Sequence, residues 1–316
     1  METIRLTYPL RMEPSRPAIA LAIGYFDGVH LGHQAVIGRA RRFAEDQGIA
    51  TGVMTFHPHP REVLGKAKMN HYLTPLPEKL NAFEALGVDR TYVMAFDREF
   101  ASLSKEAFIE EVLAPLNVRG AAVGFNFSFG RGAEGKAEDL VRLGEGKFRV
   151  EVTPPIDQNE LPLSSTRLRQ AVREGRVDIA GQILGRPYAL AGEVVHGDRR
   201  GRLIGFPTAN LRLGEPYMVP DHGVYVVQAS WGNTSRYGIM NIGVRPTFDD
   251  PTPRLTLEVH LLDTDVDLYG KQLRVEFLHR LRPEVKFDSV DALVDRIRKD
   301  EREARAWLER KKSSSC

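Results

Sequence analysis

Cysteine is almost missing from this sequence: of its 316 residues one is cysteine, Cys316. No disulfide can form within the chain, and a reducing compartment is its expected home. Long apolar runs are missing too. Nothing approaches the ~20 consecutive apolar residues that cross a bilayer, and Met1-Glu2-Thr3-Ile4-Arg5 leads into no apolar signal core. A cytoplasmic protein with no membrane partner is expected. Neither sign of charge is in excess. With 44 basic and 42 acidic side chains the net charge is +2, which argues against a dedicated nucleic-acid surface but leaves room for a local basic site that takes a small anion. Repeats and low-complexity segments do not occur, and the glycine-rich turn at residues 24–33 matches neither dinucleotide nor P-loop spacing.

What is present is ordinary for a folded protein: 42% hydrophobic and 27% charged residues, in a length that suits about two domains. In the first half, apolar runs at residues 18–23, 49–56, 91–96, 121–125 and 148–152 alternate with helical periodicity at 33–47, 77–86, 104–116 and 137–143. That rhythm predicts an α/β domain with a parallel sheet and helices on both faces, its ligands at the carboxyl ends of the strands.

The first strand runs into Gly24-Tyr25-Phe26-Asp27-Gly28-Val29-His30-Leu31-Gly32-His33. Gly24, Gly28 and Gly32 let backbone approach a ligand, and the helix that follows aims its N–H groups at an anion. His30 and His33 would donate hydrogen bonds to phosphates as charge develops there; a tight turn whose histidines cap the helix is the alternative. His-x-Gly-His is similar to the signature of the nucleotidyltransferase superfamily, which moves an AMP or CMP group onto an acceptor phosphate by positioning and electrostatics. His57-Pro58-His59-Pro60 reads as an extended structural loop in preference to a metal site. In Val123-Gly124-Phe125-Asn126-Phe127-Ser128-Phe129-Gly130 the alternating rings suit either an amphipathic strand or a sandwich around a planar heterocycle. Ser164-Ser165-Thr166-Arg167 opens a helix with an N-cap and also offers a phosphate cradle of N–H groups, hydroxyls and a guanidinium.

Near Leu184 the rhythm changes, which divides the chain into domains 1–184 and 185–316. Short runs at 190–196, 209–213, 223–230, 237–242, 256–262 and 272–281, with no helices between, predict an antiparallel barrel closed by a helix at 290–310. Gly201, Gly205 and Pro207 shape a loop leading to Thr208 and Asn210, two neutral oxygen ligands that suit Mg²⁺ bound to nucleotide phosphates; local backbone hydrogen bonding is the alternative. Glu258 and His260 alternate with apolar residues, so they share a face. There Glu258 would take a proton from a substrate hydroxyl, or be solvent-facing charge.

In order and spacing these motifs, together with Pro220 to Tyr225, Asn241 to Phe248 and Phe277 to Phe287, resemble the bacterial bifunctional riboflavin kinase/FMN adenylyltransferase (FAD synthetase) family over nearly the whole chain. The resemblance implies a Rossmann-like nucleotidyltransferase domain that adenylylates FMN and a C-terminal barrel that phosphorylates riboflavin, each with ATP and Mg²⁺. It implies His30, His33 and Glu258 as catalytic residues and Thr208 and Asn210 as metal ligands. Gly24, Phe26, Asp27, Gly28, Gly32, Ser164, Ser165, Thr166, Arg167, Gly201, Gly205 and Pro207 would bind ATP or phosphate, and Asn126, Phe127 and Phe129 the flavin. The chain departs from the family at Tyr25, where asparagine is common, and at His57, where an acid is usual. One degenerate domain, or a non-catalytic flavin or nucleotide sensor, are the alternatives; self-association is left open.

Overall fold

A strand that is apolar at every residue needs cover on both faces, and β2 has it. The computed structural model describes all residues except 11–15, 66–70, 159–160, 198–204, 246–253, 265 and 314–316. The chain opens with β1 (Glu2–Leu6), β2 (Ile19–Ile23), α1 (Leu31–Gln47) and β3 (Ala50–His57). Short α2 (Pro60–Val63) and α3 (Leu76–Ala85) lead to β4 (Arg90–Ala95). Then come α4 (Arg98–Ala101), α5 (Lys105–Ala107) with a π-helical continuation Phe108–Leu113, and β5 (Val118–Gly124). The antiparallel pair β6 (Ser128–Phe129) and β7 (Gly135–Lys136) precedes α6 (Ala137–Gly144), β8 (Arg149–Thr153) and a second small pair, β9 (Asp157–Gln158) and β10 (Leu161–Pro162).

The main sheet has the order β1-β4-β3-β2-β5-β8, and every pairing in it is parallel. Ile19, Leu21 and Ile23 enter one apolar cluster with Met54, Tyr92 and Phe108, while Ala22 enters another with Val36, Ile37, Ala40 and Phe83. The alanine in β2 lets α1 lie close. From β2 the chain builds outward to β3 and β4, then returns to add β5 on the other side, so the switch point lies at the carboxyl ends of β2 and β5. Ligands of such sheets bind there.

Besides the short α2, α4 and the pair β9 and β10, which it does not give, three larger elements differ from the sequence reading. β1 was not expected, because Glu2 and Arg5 interrupt its apolar pattern at an edge position, where one side of the strand meets solvent. The helix expected over 104–116 is a short α-helix passing into a π turn, since Asn117, with φ of 52°, ends it ahead of β5. β5 itself begins at Val118, earlier than expected.

The second compact unit spans Thr166–Cys316, the first Met1–Ser165. It contains most of α7 (Ser165–Arg173), then α8 (Val177–Leu184) and a closed barrel of the order β11-β12-β15-β14-β13-β16. The barrel strands are β11 (Tyr188–Val195), β12 (Ala209–Leu213), β13 (Gly223–Trp231), β14 (Thr234–Arg245), β15 (Arg254–Leu261) and β16 (Gln272–Pro283). All pair antiparallel, and β16 on β11 closes the ring. α8 packs on β16 and β11, and the carbonyl of Glu174, which follows α7, accepts from Arg280 Nη1 of β16 at 2.9 Å. Those contacts explain why compactness assigns both helices to the barrel. α9 (Val290–Ser313) lays Ala304 and Leu308 on Val224, Val226 and Ile239 outside the barrel.

Candidate functional sites

In the first unit the site is the connection from β2 to α1. Gly24 N–H donates to Met54 O at 3.1 Å, and Thr55 Oγ1 donates to Tyr25 O at 2.9 Å, so β3 holds the loop's start. Phe26, Gly28 and Val29 have φ of 56°, 91° and 46°. For Phe26 and Val29 that is strained backbone, which persists only where the surroundings enforce it. They do: both side chains lie in the core with Phe83 and Val36. Asp27 is buried, with Oδ1 accepting from Thr74 N at 3.1 Å, and its carbonyl accepts from Ser165 Oγ at 2.9 Å.

His30 is the N-cap of α1: its Nδ1 accepts from His33 N–H at 3.3 Å. A side chain at Gly32 would sit 3.0 Å from the His30 ring; glycine leaves the ring its place. The two imidazoles stack with centroids 3.6 Å apart, and Phe26 meets His33 edge-on at 5.3 Å. Desolvation, then the nearness of His30 and of Lys79, holds His33 well below its ordinary value. His33 is therefore neutral near pH 7, a hydrogen-bond donor at the positive end of a 17-residue helix.

The capping alternative holds, since His30 accepts from His33 N–H, and a cap of that kind does not by itself close the helix N-terminus to an anion. Phe26 and Asp27, expected on the phosphates, are core residues that enforce the loop. Lys79 was missed by the sequence reading. It is 3% exposed on α3, donates to Tyr25 O at 2.8 Å and lies 3.9 Å over the Tyr25 ring. Its signal was a lysine on the apolar face formed by Leu76, Leu80 and Phe83.

β5 ends beside β2, so its exit loop borders the same switch point. Phe129 is 6% exposed and packs on Phe108 and Phe127 at 5.3 and 5.6 Å. Its ring lies in the core, behind Phe127. Phe127 is half-buried, and Asn126 and Phe125 are exposed. His59 caps α2 by accepting from Arg61 N at 3.0 Å, the structural role expected of that loop. Ser164 and Ser165 are half-buried in the first unit, while Thr166, exposed, and Arg167, half-buried, begin the second.

In the second unit, register makes the site. Asn210 of β12 and Asn241 of β14 both pair with Glu258 of β15. Directly paired side chains lie roughly 5 Å apart, so the three form one polar row. Leu211, Leu257, Val259, Met240 and Ile242 beside them are buried, which turns the row to the outer face of the barrel. Any side chain at Gly197 would overlap Asn210, so glycine keeps that amide's room. Gly205, at φ of 85°, turns the chain toward Pro207 and Thr208, one residue before β12. Gly201 lies outside the described residues. Asn241 was not singled out as a site residue beforehand, because only the closed barrel brings β14 beside Glu258. Among the described residues no group of three or more His, Cys, Asp or Glu gathers to hold a metal; hard, neutral oxygens near one carboxylate instead suit a magnesium ion that arrives with nucleotide phosphates.

Comparison with known proteins follows the same division. A FAD synthetase family model matches residues 12–167 and a riboflavin kinase model residues 184–308. A Bacillus subtilis bifunctional riboflavin kinase/FMN adenylyltransferase is 41% identical over 307 residues, 96% of this chain and 97% of that protein. The Escherichia coli K12 protein of the same name is 39% identical over 98% of each. A solved structure reported as a macrolide-efflux protein from Streptococcus pneumoniae aligns with a TM-score of 0.87 at 34% identity, over 96% of this chain and 99% of that one. Among the described residues here no helix is long and apolar enough to cross a membrane. With both models matched in order and such identity over nearly the full length, the chain belongs to the bifunctional riboflavin kinase/FMN adenylyltransferase family.

Proposed function

We propose that the residues above divide two ATP-dependent reactions between the two units. The family makes the chain an enzyme with both activities, using ATP, riboflavin and FMN. In the second unit the riboflavin 5′-hydroxyl oxygen attacks the γ-phosphorus of ATP, the bond to the β–γ bridging oxygen breaks, and Glu258 takes the hydroxyl proton, giving FMN and ADP. Thr208 and Asn210 would hold Mg²⁺, which when bound offsets the phosphate charge. In the first unit an FMN phosphate oxygen attacks the α-phosphorus of a second ATP, and pyrophosphate leaves with the α–β bridging oxygen. His33 donates to the charge that grows there, the first turn of α1 holds the phosphates, and Ser164, Ser165, Thr166 and Arg167 serve the outer ones. Asn126 and Phe127 flank the isoalloxazine, with Phe129 behind Phe127. A reducing, cytoplasmic setting suits the single cysteine.

The observation that carries the division is the paired row Asn210–Glu258–Asn241 in a unit separate from the one that holds His30 and His33. Glu258→Gln is expected to slow riboflavin phosphorylation about 10²- to 10⁴-fold and leave FMN adenylylation unchanged. His33→Ala is expected to lower FAD formation about 10²-fold while FMN accumulates. Product chromatography reads both; a folded variant that loses both steps overturns the division.

A further inference from the structure

His260 is outside the roles just assigned, yet it ties three elements together. It stands on β15 two residues from Glu258 and on the same face. Its Nδ1 is 2.8 Å from the Pro207 carbonyl oxygen, its Nε2 is 3.1 Å from Glu301 Oε1 of α9, and Phe206 meets the ring edge-on at 5.6 Å. Carbonyl and carboxylate oxygens both accept. The ring bridges the two, one nitrogen to each oxygen. The charged groups around it are Glu258 on its own strand and, from α9, Glu301 with Arg305 close to it. Arg305 is itself held by Asp263 through bonds of 2.7 and 2.8 Å. Pro207 is the residue before Thr208, so whatever grips its carbonyl fixes the backbone that presents Thr208.

We infer that His260, bridging Glu301 and the Pro207 carbonyl, is a positioning residue of the kinase site: it sets the Pro207–Thr208 backbone against β15 and so governs affinity for Mg-ATP. This rests on the assignment of Thr208 and Asn210 to Mg-ATP.

The test uses full-length protein and initial rates of riboflavin phosphorylation against Mg-ATP concentration at one fixed pH, with FMN adenylylation on the same samples as the control for folding. His260→Gln is expected to raise the KM for Mg-ATP about tenfold, as befits one lost charge-assisted hydrogen bond, with kcat within about twofold. Glu301→Ala, which takes away the carboxylate on Nε2, is expected to raise the same KM severalfold, whereas in Glu301→Gln it stays near the wild-type value because the amide still pairs with the ring. An unchanged KM in both His260→Gln and Glu301→Ala, or a loss confined to kcat, overturns the proposal. If His260→Gln also loses FMN adenylylation, the Glu301→Ala and Glu301→Gln pair decides. Thr208→Val separates the two levels: an unchanged KM there sinks the underlying assignment, whereas a raised KM there beside an unchanged one in His260→Gln sinks the bridge only.

Discussion

At the scale of single residues, Lys79 sets stability against chemistry. Burial pulls its ammonium from 10.5 down to about 8, with Asp27 working the other way. At about 1.4 kcal/mol per tenfold change, keeping it charged costs the fold about 3 kcal/mol at pH 7. The unfolded chain binds more protons at this site between pH 8 and 10.5, so its penalty is complete below pH 8 and fades as pH rises through that window. Lys79→Met removes the charge and also the bond to Tyr25 O, which returns about 1 kcal/mol of the gain. The variant is expected to be about 2 kcal/mol more stable at pH 7, with the difference shrinking toward pH 10, and to make FAD more slowly because the phosphate loop loses its inner anchor. Pulse proteolysis of the first unit at both pH values, beside FMN adenylylation rates, checks it; a less stable variant at pH 7 refutes the balance. His30 and His33 were legible because glycines of a turn frame them. Lys79 was not read, although it shares the apolar face of Leu76, Leu80 and Phe83, because a lysine beside Glu78 passes for a solvated one until the loop after β2 lays the Tyr25 carbonyl and ring on it.

At the scale of elements, apolar pattern was informative wherever both faces of a strand are covered. β2, β3 and β4 were readable within a residue or two for that reason, and so was β12, whose run at 209–213 is bounded by turn signals. The stripe of α9 was only half readable. Leu293, Ile297, Ala304 and Leu308 recur at helical spacing, but Asp300 occupies the turn between and is 2% exposed. Its carboxylate takes Arg282 Nε at 3.0 Å and Nη2 at 2.8 Å from β16, and Arg296 Nε at 2.9 Å from its own helix. The partner that makes a buried acid tolerable is 18 residues away, which no local pattern reveals. Removing one member of such a pair strands the rest, a loss of typically ~3–5 kcal/mol. Asp300→Ala is therefore expected to destabilise the barrel unit by about 3 kcal/mol. Urea unfolding followed by Trp231 and Trp307, the chain's two tryptophans and both in the second unit, reads this directly. A midpoint within experimental error of the wild type's would show that α9 is held by its apolar contacts alone.

At the scale of the whole molecule, the question is where the second enzyme begins. Sequence rhythm changes near Leu184 and the riboflavin kinase family model starts at 184, whereas the compact unit starts at Thr166. The difference is α7 and α8. Val177, Ala180, Ile183 and Leu184 of α8 are all buried, and α8 lies on β16 and β11. The three larger side chains contribute roughly 1.5–3 kcal/mol each when buried, about 4.5–9 kcal/mol together. That is comparable to the whole stability of a domain, ~5–15 kcal/mol. Rhythm marks where strands start; it says nothing about which helix covers the barrel, because α8 continues the amphipathic pattern of the first half. A fragment of residues 166–316 is accordingly expected to fold alone and phosphorylate riboflavin at the rate of the full chain, with no FAD formed. A fragment of residues 185–316 is expected to be insoluble or to unfold at far lower urea. Should the shorter fragment match the longer one in both urea midpoint and kinase rate, α8 is cover the barrel does not need, and the second enzyme begins at its first strand.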